Sequence, residues 1–202
     1  MTARQFALIG LSAPIIFWVT YGIMSFLRPE YSFMTKAISE LGSVDAPDKW
    51  VWNMIGYTLV GGMISVYSFG LFRDVSDGQG SRWPLIGFVL SGLFMALSGV
   101  FPGDFEDRQS TTMLLHTLGS FGSYIFFLVG AFTYPKLMRR STYWQGAVRP
   151  LLLFTWLTIL FGAWPFVFTN IPAVGQRLVF FFYLLWVFYT ALKLYQRPAS
   201  AR

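Results

Sequence analysis

Five stretches of this 202-residue chain run for 21 to 27 residues without one charged side chain. They lie between Arg4 and Arg28, Lys49 and Arg73, Arg82 and Asp104, Arg108 and Lys136, and Arg149 and Arg177. A strand in a soluble core uses about four to eight apolar residues, whereas a helix that crosses the hydrocarbon of a bilayer needs about 20. Each stretch therefore predicts a transmembrane helix. A sixth is shorter: 15 uncharged residues separate Arg177 from Lys193, about 22 Å of helix, so this span borrows flanking turns and lets its basic ends snorkel outward. The expected spans are 5–27, 49–72, 83–101, 111–136, 149–170 and 174–195. The fold class that follows is all-α, a polytopic integral membrane bundle of six transmembrane helices forming one domain over 1–202. With 55% hydrophobic and 12% charged residues, a soluble fold of this size has too little interior to hide the apolar side chains.

The first span begins after a basic residue, as a secretion signal does. Its apolar run is longer than the usual signal core and no small-residue cleavage site follows, so it is expected to stay as an anchor. There is no cysteine and only one histidine. Disulfides, thiolate metal sites, cysteine nucleophiles, bis-histidine haem and multi-histidine zinc are thereby excluded. No cofactor is expected.

Six spans put the N-terminus, the second and fourth connections and the C-terminus on one side. That side holds Arg4, Arg73, Arg82, Lys136, Arg139, Arg140, Arg149, Lys193, Arg197 and Arg202, ten of the fifteen basic residues. The bias of Lys and Arg toward cytoplasmic connections assigns this face to the cytoplasm and the protein to the cytoplasmic (inner) membrane. The net charge of +6 invites a nucleic-acid reading, but the cations are spread over four membrane-proximal segments, and contact with lipid headgroups accounts for them. Membrane lipids are the expected partners, and nucleic acid is not.

The longest connection, loop 1 from about Arg28 to Lys49, carries Phe33, Met34, Ala37, Ile38 and Leu41 at helical spacing. Ser32 is placed to cap this segment and Gly42 to stop it. A short amphipathic helix lying on the membrane surface is expected there. Small residues recur at four-residue intervals, Gly61 with Ser65, Gly87 with Ser91, Gly92 with Ala96, and Gly119 with Ser123, the spacing that lets helix backbones approach closely in lipid. Helices 2, 3 and 4 should form the tight interior, and Phe-rich helix 6 should face more lipid. The same grooves also suit a second copy of the chain or a partner in a membrane complex.

His116 lies about two turns inside helix 4, where an ionisable side chain has to face the bundle interior or a wet cavity. Thr112, Gly119, Ser120 and Ser123 share its face. The alternative is a neutral imidazole that serves packing through a hydrogen bond to a neighbouring helix. Helix 3 ends at Phe101-Pro102-Gly103 and delivers Asp104 beside the start of helix 4. Glu40 in loop 1, Asn53 in helix 2, Asn170 at the end of helix 5 and Arg177 at the start of helix 6 belong to the same membrane face. Arg177 is a candidate partner for Asp104, Glu40 or an anionic headgroup, with a snorkelling anchor as the alternative. Glu40, Asn53, Asp104, His116, Asn170 and Arg177 together make a candidate ligand pocket.

The run Ile38-Ser39-Glu40-Leu41-Gly42, then Trp52-Asn53, Phe101-Pro102-Gly103-Asp104 and His116, resembles the bacterial and archaeal membrane proteins grouped as domain of unknown function 998, over roughly Phe6 to Leu194. The resemblance implies that these positions matter to the family and brings no activity with it. A looser similarity to eukaryotic six-helix membrane proteins implies lipid-related roles.

Three functions stay open at this level. One is an outward-facing pocket that binds or handles a lipid-like amphiphile. Another is an intramembrane hydrolase or transferase in which His116 is the general base, Asp104 orients it and Ser39 is the nucleophile. The third is an accessory subunit of a membrane complex. Glu40, Asp104 and His116 are chemically acceptable metal ligands, but their spacing is not diagnostic and no metal site is expected.

Overall fold

In the computed structural model of the protein, residues 1–76 and 80–198 are described; Arg202, counted above with the basic residues, lies outside them. Six helices are long and apolar enough to cross a membrane: α1 (Ala3–Phe26), α2 (Lys49–Ser76), α3 (Trp83–Val100), α4 (Thr111–Met138), α5 (Gln145–Val167) and α6 (Pro172–Gln196). The chain is an integral membrane protein, and each span lies where the charge-free stretches predict. The start of α1 and the end of α6 lie at one end of the bundle, the termini end; loop 1 and the α3–α4 and α5–α6 connections make the other, the loop-1 end.

Neighbours in space follow the order α5, α6, α1, α2, α3, α4. In this ring α3 packs most extensively against α4, and α4 against α5 least of the adjacent large helices. The tight contacts are made by glycine, as the small-residue spacing predicts. A Cβ on Gly61 would collide with the Gly92 carbonyl of α3, and one on Gly92 with the Gly61 carbonyl, so the α2 and α3 backbones touch. Gly87 meets Gly130 of α4 in the same way. In lipid, where apolar surface gains nothing by leaving the solvent, such close packing is the main attraction between helices.

Helix 6 does not face more lipid than the others. Of its most apolar window 39% is buried, against 17% for α5, and Trp186 sits fully buried among Phe88, Phe127 and Tyr134. The aromatic richness of α6 serves the core, and α5 is the lipid-facing helix. The seam between α4 and α5 is the loosest place in the ring.

Loop 1 contains a helix shorter than its pattern suggests, a 3-10 turn over Ile38–Gly42. Ile38 and Leu41 are fully buried beneath the loop, so the apolar face turns into the bundle instead of along the membrane surface. Phe33 and Met34 stay exposed, and the Ser32 hydroxyl accepts from the Thr35 amide, capping a turn. Loop 1 is thereby a plug over one end of the helices.

Candidate functional site

Between α4, α5 and α6, where the ring is loosest, a cleft of about 650 Å³ opens at the loop-1 end. Its walls come from Phe121 and Tyr124 of α4, Phe161, Gly162 and Pro165 of α5, and Val179, Phe180 and Tyr183 of α6. The buried Tyr57 of α2, Ser98 of α3 and Ser123 of α4 close it off, and the exposed Ser120 of α4 supplies a further hydroxyl. Thr35, Ala37 and Glu40 of loop 1 roof it, and Phe105 and Arg108 border it from the α3–α4 connection. An apolar hollow with a few polar groups at one end is the form ligand sites take.

α5 opens the cleft because its helix is interrupted: Val148–Gly162 ends, and a separate turn, Trp164–Val167, follows with Pro165 in its first positions. A proline cannot donate to the preceding turn. The Trp164 indole N–H instead donates to the Ile171 carbonyl at 3.0 Å, and Gly175 of α6 approaches Trp164 and the Phe161 carbonyl too closely for a Cβ. The α5–α6 side is pinned, while the α4–α5 side stays apart.

Loop 1 is fastened to α6 by four hydrogen bonds. The Ala173 amide donates to the Met34 carbonyl at 3.1 Å, and the Ile38 amide to Gln176 Oε1 at 2.7 Å. Arg177 does most of the clamping. Its Nε donates to the Tyr21 hydroxyl at 2.8 Å, Nη1 to the Ala173 carbonyl at 2.8 Å, and Nη2 to the Tyr31 hydroxyl at 2.7 Å and the Lys36 carbonyl at 3.0 Å. The guanidinium also lies near the rings of Tyr21, Tyr31 and Phe33. The pairing expected with Asp104 or Glu40 is not formed, because tyrosine hydroxyls and carbonyls from α1, loop 1 and α6 itself already fill the fork. Burial pushes the Tyr31 phenol well above its usual pKa, against the opposing charge of Arg177; it stays neutral and donates to the Ala37 carbonyl at 3.0 Å. At the start of loop 1, Arg28 bonds the Glu40 carbonyl and the Glu30 carboxylate, and that contact holds Glu30 below the ordinary carboxylate range.

Asn53 fastens the same loop from the other side. It is fully buried in the π-helical stretch Trp52–Leu59 of α2, and its Nδ2 donates to the Gly42 carbonyl at 2.9 Å. A Cβ on Gly42 would collide with the Asn53 side chain, so this position needs glycine. Tyr57, one turn further along, faces the cleft.

His116 has a specific structural partner that the sequence pattern contained. In an α-helix the Ser98 carbonyl would accept from residue 102, but Pro102 has no N–H. His116 Nδ1 lies 3.0 Å from the Ser98 carbonyl and 2.9 Å from that of Phe101. Both neighbours are acceptors, so Nδ1 carries a hydrogen. One turn earlier, Thr112 donates to the Pro102 carbonyl at 2.8 Å. Two α4 side chains thus cap the end of α3. His116 is buried behind the cleft wall, beside Tyr57 and the Ser98–Ser120 pair, whose hydroxyls are 3.2 Å apart.

The sequence-predicted residues divide accordingly. Glu40 lines the cleft, His116 stands behind its wall, and Asn53 and Arg177 hold its roof. Asp104 accepts from the Asp107 amide at 3.0 Å, and no hydrogen bond joins it to His116 among the described residues. Ser39 is buried beside Tyr57 and makes none with His116 either, so the His116–Asp104–Ser39 relay is not assembled here. Asn170 is exposed in the turn between α5 and α6, outside the cleft lining. No cluster of three metal-ligating side chains occurs among the described residues; Glu40, Asp104 and His116 do not converge.

A family described as protein of unknown function (DUF998) matches residues 11–193. The chain belongs to that family. No curated protein and no solved structure matches it. In this DUF998 chain the matched region runs from the first turns of α1 to near the end of α6, so it contains the cleft, its loop 1 roof and the α4 caps on α3.

Proposed function

We propose that this DUF998 protein binds or handles a lipid-like amphiphile in the cleft between α4, α5 and α6, within the cytoplasmic membrane, with both termini in the cytoplasm. The single observation that carries the reading is the cleft's composition along its depth. Aromatic and aliphatic side chains form the walls where they face hydrocarbon, hydroxyls stand further in, and Glu40 and Arg108 border the end nearest the water. An amphiphile presents the same sequence of chemistries, and a wholly polar or wholly apolar solute does not. The loose α4–α5 seam supports access from the bilayer itself. The ten-to-five division of basic residues supports the orientation, which puts the cleft in the leaflet away from the cytoplasm.

A substitution that fills the cleft provides the test. A Cβ at Gly162 meets only the Tyr124 hydroxyl at 3.5 Å and Val179 Cγ2 at 4.0 Å, so Gly162→Trp places an indole in the hollow without a backbone clash. Protein extracted in mild detergent is expected to retain a lipid in near-stoichiometric amount by native mass spectrometry, and Gly162→Trp to lose it while melting at a similar temperature. Absence of retained lipid from the unaltered protein, or equal retention by the two, contradicts the reading.

A further inference from the structure

Two charged side chains line the cleft, and they are of opposite sign. Glu40 comes from loop 1 and Arg108 from the α3–α4 connection, so both stand at the loop-1 end. The ion pairs among the described residues are Arg28 with Glu30 and Arg197 with Asp74; Glu40 and Arg108 belong to neither. Glu40 Oε1 accepts from the Ala37 amide at 2.7 Å, which fixes the carboxylate on the roof, and Oε2 is left for a ligand. The Arg108 guanidinium is exposed, with no hydrogen bond among the described residues.

Resting on the amphiphile reading above, we infer that the cleft selects a net-neutral zwitterionic headgroup, with a phosphate set against Arg108 and an ammonium against Glu40. The charges of the lining sum to zero, and complementary potentials decide which partner is accepted. A purely anionic head satisfies the guanidinium but brings like charge toward Glu40. An uncharged head leaves two ionised side chains partly desolvated without counter-charges. A phosphate suits the planar guanidinium fork, and an ammonium donates to the free carboxylate oxygen. Ser120 lies nine residues into α4, about 14 Å of helix. Its hydroxyl, 3.2 Å from that of Ser98, stands on the cleft lining below such a head.

The experiment uses the full chain in nanodiscs of equimolar phosphatidylethanolamine and phosphatidylglycerol with matched acyl chains, and reads retained lipid by native mass spectrometry. The unaltered protein is expected to retain phosphatidylethanolamine over phosphatidylglycerol by about fivefold, the scale of one partly exposed ion pair. Glu40→Gln keeps a carbonyl acceptor for the Ala37 amide but leaves the cleft with a single positive charge, and the preference inverts toward phosphatidylglycerol. Equal retention of the two lipids, or a Glu40→Gln ratio unchanged from that of the unaltered protein, overturns the inference. The same preference in Gly162→Trp assigns it to lipid around the bundle and overturns it too. Retention of neither lipid defeats the amphiphile reading itself.

Discussion

Replacing Asp74 with alanine is expected to cost the fold about 3–5 kcal/mol, the penalty for removing one partner of a buried ion pair. Asp74 closes α2 at the termini end. Its carboxylate receives Arg197 Nη1 from the end of α6 and the Trp144 indole N–H from the α4–α5 connection, the latter at 2.8 Å. Arg197 also bonds the Asp74 carbonyl at 2.8 Å. The two charged side chains are 8% and 9% exposed, respectively, so water cannot replace the lost acceptor. Alanine removes the guanidinium's carboxylate partner and leaves the indole N–H without its acceptor, at the point where three segments meet. Asp74→Asn, which keeps an oxygen for Trp144, should lose less. Unfolding titrations in denaturing detergent measure both, and an alanine variant as stable as the parent contradicts this account of the termini end.

Arg177→Ala is the second large effect, about 3 kcal/mol, the scale of one or two charge-assisted hydrogen bonds. Arg177 gathers Tyr21, Tyr31, the Lys36 carbonyl and the Ala173 carbonyl around one guanidinium. Without it, loop 1 keeps the Ala173–Met34, Ile38–Gln176 and Asn53–Gly42 bonds but loses the centre of the clamp. Lysine is a poor substitute, since its three donors lack the planar fork that reaches two tyrosines and two carbonyls at once. Amide exchange over residues 31–42 should speed up in both variants while the cores of α2 and α3 stay protected. Unchanged exchange in loop 1 would show that the clamp is dispensable.

The bilayer makes a helical bundle unusually legible in sequence, because spans announce themselves by length and by the exclusion of charge. The glycine contacts were legible for the same reason: Gly61, Gly92 and Gly87 recur at the spacing that close helix pairs require, and they sit at those crossings. Which helix faced lipid was not legible. Both α5 and α6 are uniformly apolar, and only the packing of Trp186 against Phe88 distinguishes the core helix from the peripheral one.

The site was half legible. The rule that polarity inside a membrane has a partner singled out His116, Asn53 and Arg177, but it is indifferent to whether the partner is a ligand or the protein's own backbone. For His116 the deciding clue was in the chain: Pro102 falls four residues after Ser98, freeing the carbonyl that the imidazole then takes. For Arg177 it was not, since Tyr21 and Tyr31 are remote in sequence from α6. The hydroxyls that line the cleft, Tyr57, Ser98, Tyr124 and Tyr183, escaped notice because serine and tyrosine are ordinary in transmembrane helices. Gln176, an uncharged polar residue next to Arg177, was the missed signal with the clearest physical meaning.

An amphiphile is expected to occupy the hollow between α4, α5 and α6. A density map of the protein in a lipid nanodisc, at a resolution that shows acyl chains, tests it most directly. The expected map contains elongated density between Phe121, Phe161 and Phe180, with its head between Glu40 and Arg108. A map in which α5 has closed against α4, leaving no room between these side chains, would contradict it.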